Sequence, residues 1–253
     1  MGHTGVNATT TPERADLDPL LDVIHEDDDL LVVNKPAGLV CHPSKDGERS
    51  SLIGRVRLHW GDAEGRLVNR LDRETSGVVI VARSAPVARE LGQLLAQGAI
   101  AKRYLAVVHG RVGPASFSIE APLGADDRSE VAIKDCVRED GAAARTDVQL
   151  VRTFERDGSS FSVLDVTPKT GRKHQIRIHL AHAGHPIVGD KIYGGDERIY
   201  LRFVTRQLTD DDRRVLVVGN HALHAAQVRF SWRGRDWAFE AVPGDELRAF
   251  AAL

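Results

Sequence analysis

Residues 68–82 read VNRLDRETSGVVIVA. Asp72 stands between Arg70 and Arg73, and Thr75, Ser76 and Gly77 lead into the run Val78-Val79-Ile80-Val81. A β-branched apolar run of this length predicts a buried strand. The short polar residues and the glycine before it suit a tight turn. Asp72 is therefore placed on a loop at the lip of a rigid element, where functional side chains are often carried. Arginines within a few Å favour the ionised form of a carboxylate, and a fixed, charged carboxylate can act as nucleophile or base. Taken alone, the stretch equally fits a surface turn closed by an Asp–Arg ion pair.

Four further blocks bear on that choice. Residues 34–43 read NKPAGLVCHP, 102–110 read KRYLAVVHG, 167–193 read TPKTGRKHQIRIHLAHAGHPIVGDKIY and 221–230 read HALHAAQVRF. Together with RLDRETSG, and in this order, they resemble the RluA family of RNA pseudouridine synthases. The resemblance extends over roughly residues 21–243. A chance match would have to reproduce both the residues and their order. One position departs from the family pattern. The family usually carries His directly before Arg-Leu-Asp, and here that residue is Asn69, which can hydrogen-bond but cannot titrate.

Composition narrows the classes. Hydrophobic residues at 42% and charged residues at 28% are those of an ordinary globular chain. No apolar run approaches the ~20 residues that span a bilayer, and the N-terminus lacks the apolar core of a secretory signal. Two cysteines, Cys41 and Cys136, make no disulfide framework or metal motif, which leads us to expect a cytoplasmic location. The net charge of −2 looks unsuited to a polyanionic partner. Its source is local, however: residues 13–29 carry eight acids against one base, so the rest of the chain is net positive. Between Val166 and Gly189 there is no acid at all, while Lys169, Arg172, Lys173 and Arg177 are present. Such a patch can steer a polyanion, although a solvated helix face has the same composition.

Patterning along the chain predicts an α+β fold. Residues 1–18 read as a disordered tail and 19–253 as a single domain with no separate N-terminal RNA-binding module. Strands are expected at 20–25, 30–34, 67–71, 78–82, 103–109, 116–120, 146–154, 161–167, 223–230 and 237–242. Helices are expected at 51–60, 86–97, 172–183 and 245–252. Many of the strands are hairpin-linked, which favours a mixed, mainly antiparallel sheet over a βαβ repeat.

The resemblance implies more. The fold would be that of pseudouridine synthases, a long bent mixed sheet with flanking helices and a central cleft. The activity would be isomerisation of uridine to pseudouridine in ribosomal or transfer RNA, without cofactor or metal, by a monomer. Asp72 would be the catalytic carboxylate, Tyr104 the active-site tyrosine and Arg177 the partner of Asp72, with Arg172 a competing partner. Arg70 would fill the stack vacated by the flipped base. Arg73, Arg172, Lys173 and His174 are the remaining candidates for substrate contact. The histidines at 174, 179, 182, 185, 221 and 224 invite a metal reading, but no carboxylate accompanies the cluster and the His-Glu-x-x-His pattern is missing. Two other functions compete: a non-catalytic RNA-binding protein on the same scaffold, and a glycoside hydrolase using Asp72 with Glu74. The latter needs carboxylates set ~5–9.5 Å apart on opposite sides of the sugar.

Overall fold

The structure, a computed structural model, describes residues 20–43, 47–61 and 65–253. The tail expected over 1–18 lies outside the described residues. In chain order the strands are β1 (Val23–Glu26), β2 (Leu30–Lys35), β3 (Arg66–Leu67), β4 (Ser76–Ala82), β5 (Ala101–His109), β6 (Ser116–Glu120), β7 (Leu123–Ala125), β8 (Asp135–Val137), β9 (Arg145–Arg156), β10 (Ser159–Pro168), β11 (Leu223–Trp232) and β12 (Arg235–Glu240). The helices are α1 (Leu52–Trp60), α2 (Ala85–Ala96), α3 (Gln175–His182), α4 (Arg198–Val204), α5 (Asp210–Leu216) and α6 (Asp245–Ala251).

Ten strands form one mixed sheet in the order β1-β2-β4-β11-β5-β10-β9-β6, with β12 beside β11 and β3 beside β4. Its hinge is the β4–β11 junction. These two strands run parallel only where Ser76 and Gly77 face His224 and Ala225. Beyond a register break after Ala225, β11 pairs with β12 and with the start of β5. Gly77 permits the close approach. Its φ is +114°, and a Cβ there would lie 2.3 Å from the carbonyl oxygen of Ala225.

β4 is apolar on both faces because both are covered. Val78, Ile80 and Ala82 pack with Val87 and Leu91 of α2, while Val79 and Val81 pack with Leu52, Ile53 and Val56 of α1. Ser84 caps α2 by accepting from the Val87 amide, and Gly98 at φ +72° follows its end. On the other side of the hinge, Val107, Val163, Leu164 and Val166 form a second core with Ile176 and Leu180 of α3.

Two expected elements are shorter than their patterns suggest. The strand expected over 67–71 ends at Leu67, because the chain peels away from β4 after Val68. The helix expected from 172 begins at Gln175. The Gln175 carboxamide accepts from the Arg172 amide at 3.1 Å and the Thr170 hydroxyl at 2.7 Å, closing a turn, and His174 takes a left-handed φ of 53°. β7, β8, α4 and α5 were not anticipated, although α5 carries a Thr209/Asp212 capping box.

Candidate active site

The loop before β4 presents side chains to two sides. Its odd-numbered residues are anchored. Leu71 is in the core, and its N–H and C=O rest on the Cys41 sulfur at 3.5 and 3.4 Å. The Arg73 carbonyl accepts from the Gly38 amide at 2.9 Å and from Lys35 Nζ at 3.1 Å. Thr75 Oγ1 meets His221 Nε2 at 2.7 Å. Lys35 is fully buried, with Nζ also donating to the carbonyls of Pro36 and Leu39 at 2.8 Å each; burial lowers its pKa to about 8. The even-numbered Arg70 and Asp72 remain accessible, Arg70 exposed and Asp72 half-buried.

Asp72 Oδ2 accepts from Arg177 Nη1 at 2.9 Å. Arg177 makes its bidentate pair elsewhere: Nε and Nη2 bond Asp190 Oδ2 and Oδ1 at 2.7 and 2.9 Å. Asp190 is fixed in turn by the amides of Ile192 and Tyr193 at 2.9 and 3.0 Å. The Arg177 side chain is 5% exposed and that of Asp190 0%, whereas that of Asp72 is 30% exposed. The buried pair is thus a foundation, and Asp72 is the member a ligand can reach. Burial opposes ionisation of Asp72, but the charge of Arg177 and its hydrogen bond outweigh it and hold the carboxyl below its usual range.

His174 Nε2 lies 3.9 Å from Asp72 Oδ2, and Nδ1 lies 2.9 Å from the Tyr193 hydroxyl. That hydroxyl accepts from the Asp135 amide at 3.2 Å, so its own proton is free for Nδ1 and the imidazole proton belongs on Nε2, facing Asp72. Burial and the Arg177 charge push the His174 pKa down to about 4, so the ring is neutral near pH 7. Tyr193 also lays its ring face 5.0 Å from the Arg177 guanidinium carbon. Tyr104 sits on β5 opposite Ala225 of β11, which itself faces Gly77. Burial and the nearby negative charge of Asp72 raise its phenol well above the ordinary value, so it keeps its proton.

The remaining candidates separate by charge partner. Lys169 and Lys173 pair with Asp147 at 3.3 Å and Asp135 at 2.8 Å, and Arg177 is buried, so the acid-free stretch does not form an open basic patch. Among the described residues Arg172 makes no ion pair; its Nε donates to the Ala143 carbonyl at 3.2 Å. Exposed Arg70 donates to His42 Nε2 at 3.1 Å. Arg73 donates to the Gly38 carbonyl and stacks 5.6 Å from the Phe203 ring. Among the described residues Arg70, Arg73 and Arg172 make no ion pair. Glu74 is turned away, buried against Lys191 at 2.6 Å, which removes it as an opposed partner for Asp72. A cavity of about 490 Å³ lies beneath the loop beside Lys35, Ser76 and His221, and Asp72 does not line it.

Residues 29–182 match the family model described as RNA pseudouridylate synthase. The chain belongs to that family. It is 36% identical to the dual-specificity RNA pseudouridine synthase RluA of Salmonella typhimurium, over 73% of this chain and 82% of that protein. It is 31% identical to the ribosomal large subunit pseudouridine synthase D of Neisseria meningitidis serogroup A, over 100% of this chain and 68% of the relative. Against three other curated relatives the match spans 63%, 51% and 60% of their length. The human RNA pseudouridylate synthase domain containing 1 shares the fold, with a TM-score of 0.72 at 24% identity over 92% of this chain and 86% of that one.

Around Asp72, sequence reasoning missed the roles of Asp190, Tyr193, Lys35 and His221. The only signal for Asp190 was its place as the first acid after the acid-free stretch. Of the histidines considered for a metal, His174, His179, His221 and His224 hold other partners. His179 bonds Thr146 Oγ1 and the Ala121 carbonyl at 2.8 and 3.0 Å, and His224 bonds Ser76 Oγ and the Ala241 carbonyl at 2.9 Å each. No helix among the described residues is long and apolar enough to cross a membrane.

Proposed function

We propose that this chain isomerises particular uridines to pseudouridine in structured RNA, with Asp72 as the catalytic carboxylate. The observation that carries the reading is the Arg177–Asp72 contact of 2.9 Å, which keeps a reachable carboxylate charged and aimed. The reaction breaks the bond from C1′ of the ribose to N1 of uracil and makes one from C1′ to C5, with the C5 proton lost at the end. It is an isomerisation, so no electrons are gained or lost and no redox group is needed. Asp72 serves either by attacking C1′ or by removing the C2′ proton, and both routes require the ionised form. Tyr104 offers a ring against the uracil and a phenol that stays protonated.

The target base lies in an RNA stack and must be flipped out before it can reach Asp72. Arg70 enters the vacated stack, because a guanidinium plane stacks well on bases. Arg73 and Arg172, neither ion-paired among the described residues, take backbone phosphates, and Lys173 and His174 line the approach from the α3 side. Ribosomal and transfer RNA are the substrate classes, and the enzyme acts as a cytoplasmic monomer. The deciding experiment incubates the protein with uridine-containing ribosomal and transfer RNA transcripts. A mass-neutral nucleoside resistant to N-glycosidic cleavage supports the reading. Released base or free sugar indicates hydrolysis, binding without product indicates a non-catalytic RNA-binding protein, and either result rejects it.

A further inference from the structure

One edge of β4 is covered by three different partners in succession. β3 pairs with it at Ala82 and Val81, and the Val68 amide donates to the Ile80 carbonyl at 2.9 Å. At the other end β11 pairs with it at Gly77 and Ser76. Between them lies a gap where the N–H of Ile80 and the C=O of Val78 point at the same missing neighbour, since residues two apart on a strand direct their amides to the same side. The gap exists because the chain leaves the sheet after Val68, on its way to Arg70 and Asp72. A single side chain fills it. Asn69 Oδ1 accepts from the Ile80 amide at 2.8 Å, and Asn69 Nδ2 donates to the Val78 carbonyl at 3.2 Å. Asn69 is 9% exposed.

We propose that Asn69 is a positioning residue for the reaction: its carboxamide replaces the absent strand between β3 and β11 and fixes the point from which the Asp72 loop departs. The chemistry is specific. The gap needs one donor and one acceptor on a short arm, and a carboxamide provides both in one plane without titrating. Leaving buried main-chain groups unpaired costs the full desolvation penalty of each, so the loop root would shift to regain partners. Three residues later stands Asp72, whose contact with Arg177 tolerates little displacement.

The kinetic arm of the test rests on the isomerase reading, and the exchange arm does not. Asn69→Leu keeps the size and removes both bonds. It is expected to lower kcat for pseudouridine formation roughly 10- to 100-fold per folded molecule, the usual cost of a misplaced catalytic group. KM for RNA should rise by a smaller factor than kcat falls, because the buried Asn69 itself makes no RNA contact. Hydrogen exchange at the Ile80 amide should speed up. Asn69→Asp keeps the acceptor for Ile80 but sets a carboxylate against the Val78 carbonyl. Ile80 exchange should stay slow while kcat falls at pH 8, and kcat should recover toward the wild-type value on acidification as the introduced acid regains a donor. A side chain that merely fills space would give neither the split between kcat and KM nor this rising acid limb. A folded Asn69→Leu protein with kcat within about threefold of wild type overturns the proposal. If that variant does not fold, an Asn69→Asp protein with the wild-type pH profile overturns it. Wild-type protein that forms no pseudouridine in any RNA overturns the isomerase reading instead, and Ile80 exchange then decides the tether by itself.

Discussion

Arg177 and Asp190 form a buried bidentate pair at 2.7 and 2.9 Å, and the one remaining guanidinium nitrogen is directed at Asp72 at 2.9 Å. The arginine is therefore held from behind by one carboxylate while it holds another in front. Asp190→Asn removes the rear charge and leaves Arg177 buried with an exposed partner only. The expected loss is about 3–5 kcal/mol of stability, as for other broken buried pairs, read from urea unfolding. Arg177→Lys keeps the charge but cannot make all three contacts, so pseudouridine formation should fall even where the variant folds.

Asp72→Asn keeps the shape of the loop and removes its charge. RNA affinity should stay within roughly a factor of ten while pseudouridine formation is abolished. Filter binding and nucleoside analysis measure the two separately, and retained turnover would remove Asp72 from its role.

Protonation of His174 should be visible in stability. Its pKa is about 4 in the folded chain against an ordinary 6.5, so between these values the unfolded state binds the proton that the folded state refuses. Stability from this residue is complete above pH 6.5 and is lost as pH falls toward 4. Compared with wild type, His174→Gln should flatten the unfolding free energy across that window by up to about 3 kcal/mol. Calorimetry at several pH values gives the difference directly. His221, lowered to about 3, adds a parallel loss that both proteins share.

Arg70 tests the proposed RNA-contacting surface. If it contacts RNA as proposed, Arg70→Ala should weaken binding and reduce the slope of log affinity against log salt by about 1 if a phosphate contact is lost, or leave the slope unchanged if the guanidinium only stacks. A salt titration of binding distinguishes these outcomes, and unchanged affinity removes Arg70 from the interface.

Two glycines give opposite expectations. Gly77→Ala combines a left-handed φ with an overlap against Ala225, and strain and overlap each cost about 1–3 kcal/mol. Gly92 in α2 has open space around it, so Gly92→Ala should stabilise by about 0.4–1 kcal/mol. Thermal midpoints of the two variants should move in opposite directions.

Much of this was legible in the chain. The run 78–82 is apolar at every position because both faces of β4 are covered, and a doubly buried strand has no other pattern available. Asp72 stood out only through the ordered blocks around it, since a carboxylate between arginines ahead of a strand fits a surface ion pair equally well. Elements with weak local signals were lost. β7 and β8 are three residues each, and α4 and α5 seven each, too short for periodicity to emerge.

The sequence by itself determined the longer strands and the carboxylate set beside a turn, since burial pattern and turn chemistry are local properties. Tertiary structure alone decided the ionic arrangement. Whether Lys169 and Lys173 are free or paired, whether Arg177 grips Asp72 or Asp190, and what Asn69 bonds all depend on partners far away in the chain. Hydrogen bonds and ion pairs form across a few Å of space, and only the folded chain brings residues 72, 177 and 190 within that range.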